Sequence, residues 1–311
     1  MEKILVTGSA GLVGFHLSQV LIKNGHKVIG LDNYYSGQKR NIDLLQKHNN
    51  FEFIEHDVNQ PYDVKVDAIV NLACPASPVH YQRDPIYTLL TNINGAHNGL
   101  QLAKKLNVPI LQASTSEIYG NPAIHPQVES YWGNVNPIGI RSCYDEGKRA
   151  AETLFADFRR SHQVNSKIMR IFNTYGPNMA MNDGRVVSNF IIQALKGQEI
   201  TMFGAGDQTR SFCYVGDLVD GIYKFLKTDF KNSGPLNFGN PTETTMLELA
   251  KMIIKLTNSP SKIVHKPLPQ DDPDRRRPDL SKTIESIGWE PSTSLVDGLT
   301  ETIQYFKNEI R

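Results

Sequence analysis

The chain reads as an α/β protein: a doubly wound parallel sheet followed by a smaller α/β domain at the C-terminal end. Three observations predict this. Short apolar runs alternate with helical stretches through residue 172. A glycine-rich turn follows the first apolar run directly and opens the first helical stretch. Beyond Phe172 the alternation gives way to a pattern punctuated by Pro and Gly.

In chain order, buried parallel strands are expected at 4–6, 27–31, 51–54, 68–71 and 109–113, each an apolar run too short for a helix. Helices are expected between them at 12–23, 42–47 and 86–106. The first meets a stop signal at Asn24-Gly25. A helix over 141–162 and a strand at 167–171 complete a domain spanning 1–172, with a return segment near 211–240. Residues 173–311 form the second domain. Asn173-Thr174-Tyr175-Gly176-Pro177 is turn-like, and 178–185 reads as an irregular loop. Helices follow at 187–196, 218–227, 246–256 and 295–307. Pro235, Pro241, Pro260, Pro267, Pro269, Pro273, Pro278 and Pro291 make this region loop-rich, suited to covering a ligand held by the first domain.

Composition narrows the function. Thirty-three basic against 32 acidic side chains give a net charge of +1, which does not support a nucleic-acid or membrane-surface partner. The densest basic cluster, Arg275-Arg276-Arg277, is neutralised locally by Asp271, Asp272, Asp274 and Asp279. The three cysteines, Cys74, Cys143 and Cys213, show neither disulfide nor metal-ligand spacing, so no metal is expected and a reduced, cytoplasmic setting fits. Met1-Glu2-Lys3 runs straight into Ile4-Leu5-Val6, which leaves no room for a signal peptide. No run of 18 apolar residues is present, so no transmembrane helix is expected.

The glycine turn, Gly8, Gly11 and Gly14, has the spacing G-x-x-G-x-x-G. With Leu12 and Val13 it combines a tight turn, close backbone approach to a pyrophosphate and a helix N-terminus aimed at the anion, the marks of a Rossmann-type dinucleotide site. Asp32 ends the second strand, placed to accept hydrogen bonds from the adenosine ribose and to repel a 2′-phosphate, which favours NAD over NADP despite Lys39 and Arg40 nearby. Asp57, after the third strand, is within expected reach of the adenine, with an ordinary loop aspartate as the alternative.

A second constellation carries the chemistry. Ser114-Thr115-Ser116-Glu117 precedes Tyr144 and Lys148, which are four apart on one helix face. A lysine ammonium beside a phenol favours the phenolate. A useful tyrosine base near neutral pH needs a drop of roughly two to three units from ~10, about 3–4 kcal/mol. The pair therefore reads as a base taking a proton from an alcohol while a hydride leaves its carbon, with a hydroxyl of the Ser/Thr run in the proton path.

These features together resemble the extended short-chain dehydrogenase/reductases that act on nucleotide sugars, and within them the UDP-glucuronate decarboxylase family. The resemblance spans essentially the whole chain. It rests on Ser114-Thr115-Ser116-Glu117-Ile118-Tyr119-Gly120, on Tyr131-Trp132-Gly133-Asn134-Val135-Asn136-Pro137-Ile138-Gly139, and on Tyr144-Asp145-Glu146-Gly147-Lys148-Arg149. Asn182-Asp183-Gly184-Arg185-Val186-Val187-Ser188-Asn189-Phe190 and Asp271-Asp272-Pro273 extend it.

The resemblance implies NAD as a tightly held cofactor and UDP-glucuronate as substrate, oxidised at C4, decarboxylated and reduced to UDP-xylose with no net redox change. It implies that Tyr144 is the base and then the acid, that Lys148 holds the nicotinamide ribose and depresses the tyrosine pKa, and that Thr115 bonds the reacting oxygen. Ser116 stands where related 4,6-dehydratases carry an aspartate that protonates a leaving hydroxyl; a substrate with a C6 carboxylate needs no such acid. Glu117 orders a water near C5, orients the sugar, or is simply a buried structural carboxylate. Around the cofactor the family pattern adds Asn33, Ser36, Gly37 and Val58, then Leu72, Thr91, Ala113 and Thr174. Arg185, Arg210 and Arg276 match nucleotide-sugar arginines, Arg210 most like a diphosphate binder and Arg276 near either carboxylate or diphosphate. Asn173 joins them at a strand end. The family pairs long helices into homodimers, here those expected at 86–106 and 141–162.

Two other enzymes use the same core, a nucleotide-sugar 4-epimerase and a 4,6-dehydratase. Ser116 argues against the dehydratase and the flanking motifs against the epimerase. A non-catalytic NAD-sensing regulator is the alternative from another class, and retention of both Tyr144 and Lys148 argues against it. Cys74 and Cys143 have no evident partner for a nucleophilic role.

Overall fold

The computed structural model describes residues 1–229, 233–268, 273 and 275–310. Asp271, Asp272, Asp274 and Pro269, which figured in the sequence motifs, lie outside the described residues. The first half runs β1 (Lys3–Thr7), α1 (Leu12–Lys23), β2 (Lys27–Asp32), α2 (Lys39–Leu45), β3 (Phe51–Glu55) and β4 (Ala68–Asn71). It continues through α3 (Pro78–Tyr81), α4 (Pro85–Leu106), β5 (Ile110–Thr115), a 3-10 turn at Ser116–Tyr119, α5 (Ser142–His162) and β6 (Ser166–Ile171). The second half adds β7 (Thr174–Tyr175), α6 (Val186–Leu195), β8 (Ile200–Phe203), β9 (Thr209–Ser211), β10 (Cys213–Tyr214), α7 (Val215–Leu226) and β11 (Leu236–Phe238). Then follow β12 (Glu243–Thr245), α8 (Met246–Thr257), β13 (Ile263–Lys266), β14 (Arg275–Arg276), α9 (Ser281–Ile287) and α10 (Leu295–Ile310).

Seven parallel strands form the central sheet in the order β3-β2-β1-β4-β5-β6-β11. The order reverses direction between β1 and β4, the switch point where ligands of open α/β sheets collect. Alternate side chains of β1 serve opposite faces: Ile4 and Val6 join one core, Leu5 the other. The Leu5 face packs on α4 and α5 through Leu100, Ala103, Phe155 and Phe158. The Ile4 face packs on α1 and α7, and its core runs on without a break into α6, α8 and α10 through Ile191, Leu249 and Phe306. The C-terminal region thus shares one core with one face of the sheet, with Trp289 wedged against Phe238 of β11 at 5.0 Å between ring centroids.

Two differences from the expected elements have local causes. Thr174 and Tyr175, expected as turn, form a short parallel pair with Cys213 and Tyr214, since β10 returns beside them. The helix expected over 218–227 begins three residues earlier, at Val215, which is wholly buried against the continuous core.

Candidate active site

Two adjoining clefts open along the carboxyl ends of the sheet strands. The first lies over β1 and β2. Gly8 takes φ +72°, which a side chain resists, and a Cβ on Gly14 would stand 2.1 Å from the Gly8 carbonyl oxygen. That close crossing lays the start of α1 bare, so its leading N–H groups face outward at a helix N-terminus. Asp32 accepts from the N–H of Ala10 at 3.0 Å and of Tyr34 at 2.8 Å. Burial pushes its carboxyl upward, and these backbone donors work against that rise. Gly8, Gly11, Leu12, Val13, Gly14 and Asp32 line this cleft, as do Asn33, Ser36, Gly37, Val58, Leu72 and Thr91. Lys39 pairs with Asp43 at 2.7 Å and Arg40 with Glu309. A glycine cradle that admits no Cβ, a helix N-terminus and a ribose-height carboxylate fit a dinucleotide such as NAD.

Of the expected cofactor residues, Asp57, Ala113, Tyr144, Lys148 and Thr174 do not line this first cleft. Asp57, between the cleft-lining His56 and Val58, accepts from the Tyr87 hydroxyl at 2.8 Å and the Asn59 N–H at 2.8 Å. Ala113 uses its carbonyl to accept from Lys148 Nζ at 2.9 Å and Gln112 Nε2 at 3.0 Å. Thr174 lines the second cleft, its hydroxyl donating to the Phe172 carbonyl at 3.0 Å.

The second cleft, about 830 Å³, lies between the sheet and the C-terminal region. That is ample for a nucleotide sugar. Tyr144, Glu117, Asn173, Arg185, Arg210 and Arg276 all line it. Ala76 and Arg185 line both clefts, so they mark the junction. Strand β5 ends at Thr115, whose hydroxyl caps the following turn by accepting from the Glu117 N–H at 3.2 Å. Ser116 is buried in that turn.

Tyr144 is only 6 % exposed. Its ring lies against Lys148, whose Nζ is 5.7 Å from the ring centroid. The expected depression of the Tyr144 pKa is not what this site produces. Burial holds the phenol well above its ordinary range, and a hydrogen bond with Thr115 opposes that rise. Burial likewise lowers Lys148, whose ammonium gives one of its three donors to the Ala113 carbonyl. Desolvation outweighs the pairing because both groups lie in the same dry pocket.

Behind the pair, a polar ladder crosses the sheet. Thr7 donates to Asn71 at 2.7 Å, Asn71 to Gln112 at 2.8 Å, and Gln112 to the carbonyl that also holds Lys148. A second buried set holds the β5 end: Ser114 donates to Glu152 at 2.5 Å, and Glu152 pairs with Arg170 at 2.8 Å.

The charged centre of the second cleft is Glu117. One carboxylate oxygen accepts from Arg276 and the other from Arg141. Burial alone would raise its pKa, yet the two guanidiniums overcome this and hold it at about 2. Arg276 is 1 % exposed and sits in β14 directly beside Arg210 of β9. Arg141 was not singled out from the sequence. Neither was Asp145, which burial first and the Glu117 charge next push to about 7. Their spacing, i and i+4 at the head of the helix that carries Tyr144, is the signal that identifies them. Arg185 grips Asp183 through two bonds, of 2.5 and 2.8 Å. Among the described residues no group of three or more His, Cys, Asp or Glu side chains could hold a metal ion.

This arrangement can hold a dinucleotide beside a buried phenol and present an anionic ligand to several arginines. Residues 4–239 match the family model described as NAD dependent epimerase/dehydratase family. The chain belongs to the NAD dependent epimerase/dehydratase family. Within the family it is 52 % identical over 309 residues to UDP-glucuronic acid decarboxylase 1 of Danio rerio, covering 99 % of this chain and 73 % of that one. It is also 52 % identical to UDP-glucuronic acid decarboxylase 5 of Arabidopsis thaliana, covering 96 % and 87 %. Among solved epimerase/dehydratase structures, the UDP-glucuronic acid 4-epimerase of Bacillus cereus, in complex with UDP-glucuronic acid and NAD, superposes with a TM-score of 0.89 at 27 % identity, over 99 % of both chains. No helix among the described residues is long and apolar enough to cross a membrane.

Proposed function

We propose that the protein converts UDP-glucuronate to UDP-xylose and CO2, with NAD resident in the first cleft and regenerated in each cycle. The observation that carries this reading is the placement of Tyr144 in one cleft with Glu117, Arg141 and Arg276, where two guanidiniums face one firm carboxylate and so favour a further anion. NAD, when bound, accepts the C4 hydride and later returns it.

Tyr144 takes the proton of the C4 hydroxyl, with Thr115 sharing the hydrogen bond; burial favours the neutral phenol, and the cationic nicotinamide ring, when bound, would supply the positive charge that favours the phenolate. The resulting C4 ketone lies β to the carboxylate. The C5–C6 bond then breaks, CO2 departs, and its electron pair enters the enolate. A proton from solvent water adds at C5, and Tyr144 finally returns its proton to O4. Lys148 orders the cofactor ribose beside Tyr144. Arg210 and Arg185 serve the diphosphate. Ser116 has no acidity with which to expel a C6 hydroxyl, and a uronate has none to expel.

The epimerase reading shares the oxidation but retains the carboxylate. The decarboxylases, at about half identity over nearly the whole chain, stand nearer than the 4-epimerase at 27 %. We further propose residues 1–172 with 211–240 as the cofactor domain and 173–311 as the sugar domain. The assembly proposed is a cytoplasmic homodimer joined through α4 and α5, which light scattering would report as twice the chain mass.

Incubation of the purified protein with UDP-glucuronate tests the function. Release of CO2 with UDP-xylose is expected; UDP-galacturonate without CO2 would overturn it.

A further inference from the structure

The segment 177–185 runs between β7 and α6 and borders both clefts. Asp183 lines the first cleft, Asn182 and Gly184 the second, and Arg185 both. The chemistry above uses Arg185 and gives the rest of the segment no task. Near its start, Asn178 is buried and has a left-handed φ of +65°, a conformation that residues other than glycine seldom adopt. A backbone kept in such a state is held by its surroundings.

The ties on Asn178 lead to the cofactor side. Gln38 Nε2 donates to its carbonyl at 2.8 Å, and Asn178 Nδ2 donates to Asn41 Oδ1 at 3.2 Å. His16 of α1 holds the preceding carbonyl, that of Pro177, at 2.9 Å. Gln38 directly follows Ser36 and Gly37 of the first cleft wall. The Gln38 N–H and Asn41 Nδ2 both donate to the Ala10 carbonyl at 3.0 Å. Ala10 belongs to the glycine turn, and its N–H donates to Asp32. A continuous run of hydrogen bonds, with the wholly buried Asn41 at its centre, thus joins Asp32 and the glycine turn to Asn178. At the other end of the segment Asp183 and Arg185 are bonded to each other, so the Arg185 head is placed by the segment that carries both.

We propose that Asn178 is a positioning residue that couples the two clefts. A dinucleotide seated on the glycine turn fixes the run from Ala10 through Asn41 to Asn178, and the segment then presents Arg185 to the diphosphate of the sugar nucleotide. By linkage, a diphosphate on Arg185 tightens the hold on the dinucleotide by the same factor. The proposal rests on the first cleft being the NAD site and on Arg185 meeting the diphosphate.

Release of NAD from the purified holoenzyme reads this coupling, with excess alcohol dehydrogenase and ethanol converting the freed NAD to fluorescent NADH. UDP is the probe, since it carries a diphosphate and no sugar to touch the nicotinamide. Saturating UDP should slow release from the parent about fivefold or more, and from Asn178→Gly less than about twofold. Glycine keeps the left-handed backbone and removes only the side-chain bond. A variant that is merely less stable loses NAD faster with and without UDP and keeps the parent's ratio; that result would overturn the proposal, as would a parent whose NAD release is unchanged by bound UDP. Gln38→Ala cuts the other tie, should lower the ratio in the same direction, and replaces the glycine variant should that one fail to fold. A parent that purifies without NAD, or that shows no UDP binding by calorimetry, would remove the reading beneath the inference and the inference with it.

Discussion

Glu117 and Arg276, 159 positions apart in the chain, form an ion pair inside the cleft that both of them line. One comes from the turn after β5 and the other from β14, so the pair fastens the C-terminal region to the end of the central sheet. Arg141 occupies the second carboxylate oxygen and ties the same group to the head of α5. Three segments that carry the chemistry are thus held by a single side chain.

Glu117→Gln removes the charge that balances a guanidinium only 1 % exposed. Breaking a buried pair in this way costs about 3 kcal/mol, measurable by urea denaturation at pH 7. The sign with pH follows from the lowered pKa, about 2 in the fold against 4.5 for the ordinary group. The stabilisation is fully present above about pH 4.5 and is lost as pH falls through 2. The variant should lose this acid limb, and equal acid sensitivity in the two proteins would contradict the pairing.

Asp145 behaves oppositely. Its carboxyl titrates near 7 in the fold against 3.8 ordinarily, driven by burial and by Glu117. The folded state therefore holds the proton more tightly, and stability falls as pH rises from about 4 through 7. Asp145→Asn should be more stable than the parent at pH 8 by on the order of 2 kcal/mol, with the gap closing by pH 4. Paired denaturation curves at the two pH values check this.

Gly14→Ala places a methyl group 2.1 Å from the Gly8 carbonyl oxygen, and the cradle must open to admit it. NAD content after purification should drop at least tenfold by absorbance of the released nucleotide. Asp32→Ala should also lose cofactor, more mildly, by about 1–3 kcal/mol of binding. Full NAD retention in both variants would remove the cofactor from this cleft.

Tyr144→Phe should purify with its NAD, since the ring and its stacking on Tyr81 survive, yet turnover should fall by about 1000-fold or more. Unchanged turnover would sink the assigned role.

The sheet and its first cleft were legible because each rests on local pattern: apolar runs of strand length, and glycines spaced so that one stretch of backbone crosses another. Tyr144, singled out by its helix spacing from Lys148, and the three arginines, singled out by motif resemblance, come together in one cleft. What the chain did not disclose depends on long-range burial. The Tyr144 pKa follows from desolvation by residues far apart in sequence, and a helix-spacing argument counts only the lysine. Arg141 looked like an ordinary first residue of a helix until the fold brought Glu117 against it.

The most direct measurement of the central claim follows UDP-glucuronate carrying deuterium at C4 by NMR through complete turnover without added cofactor. Transient oxidation at C4 predicts one CO2 per UDP-xylose, with the deuterium back on C4. A product that keeps its carboxylate, or UDP-xylose formed with the C4 deuterium lost to solvent, would contradict it.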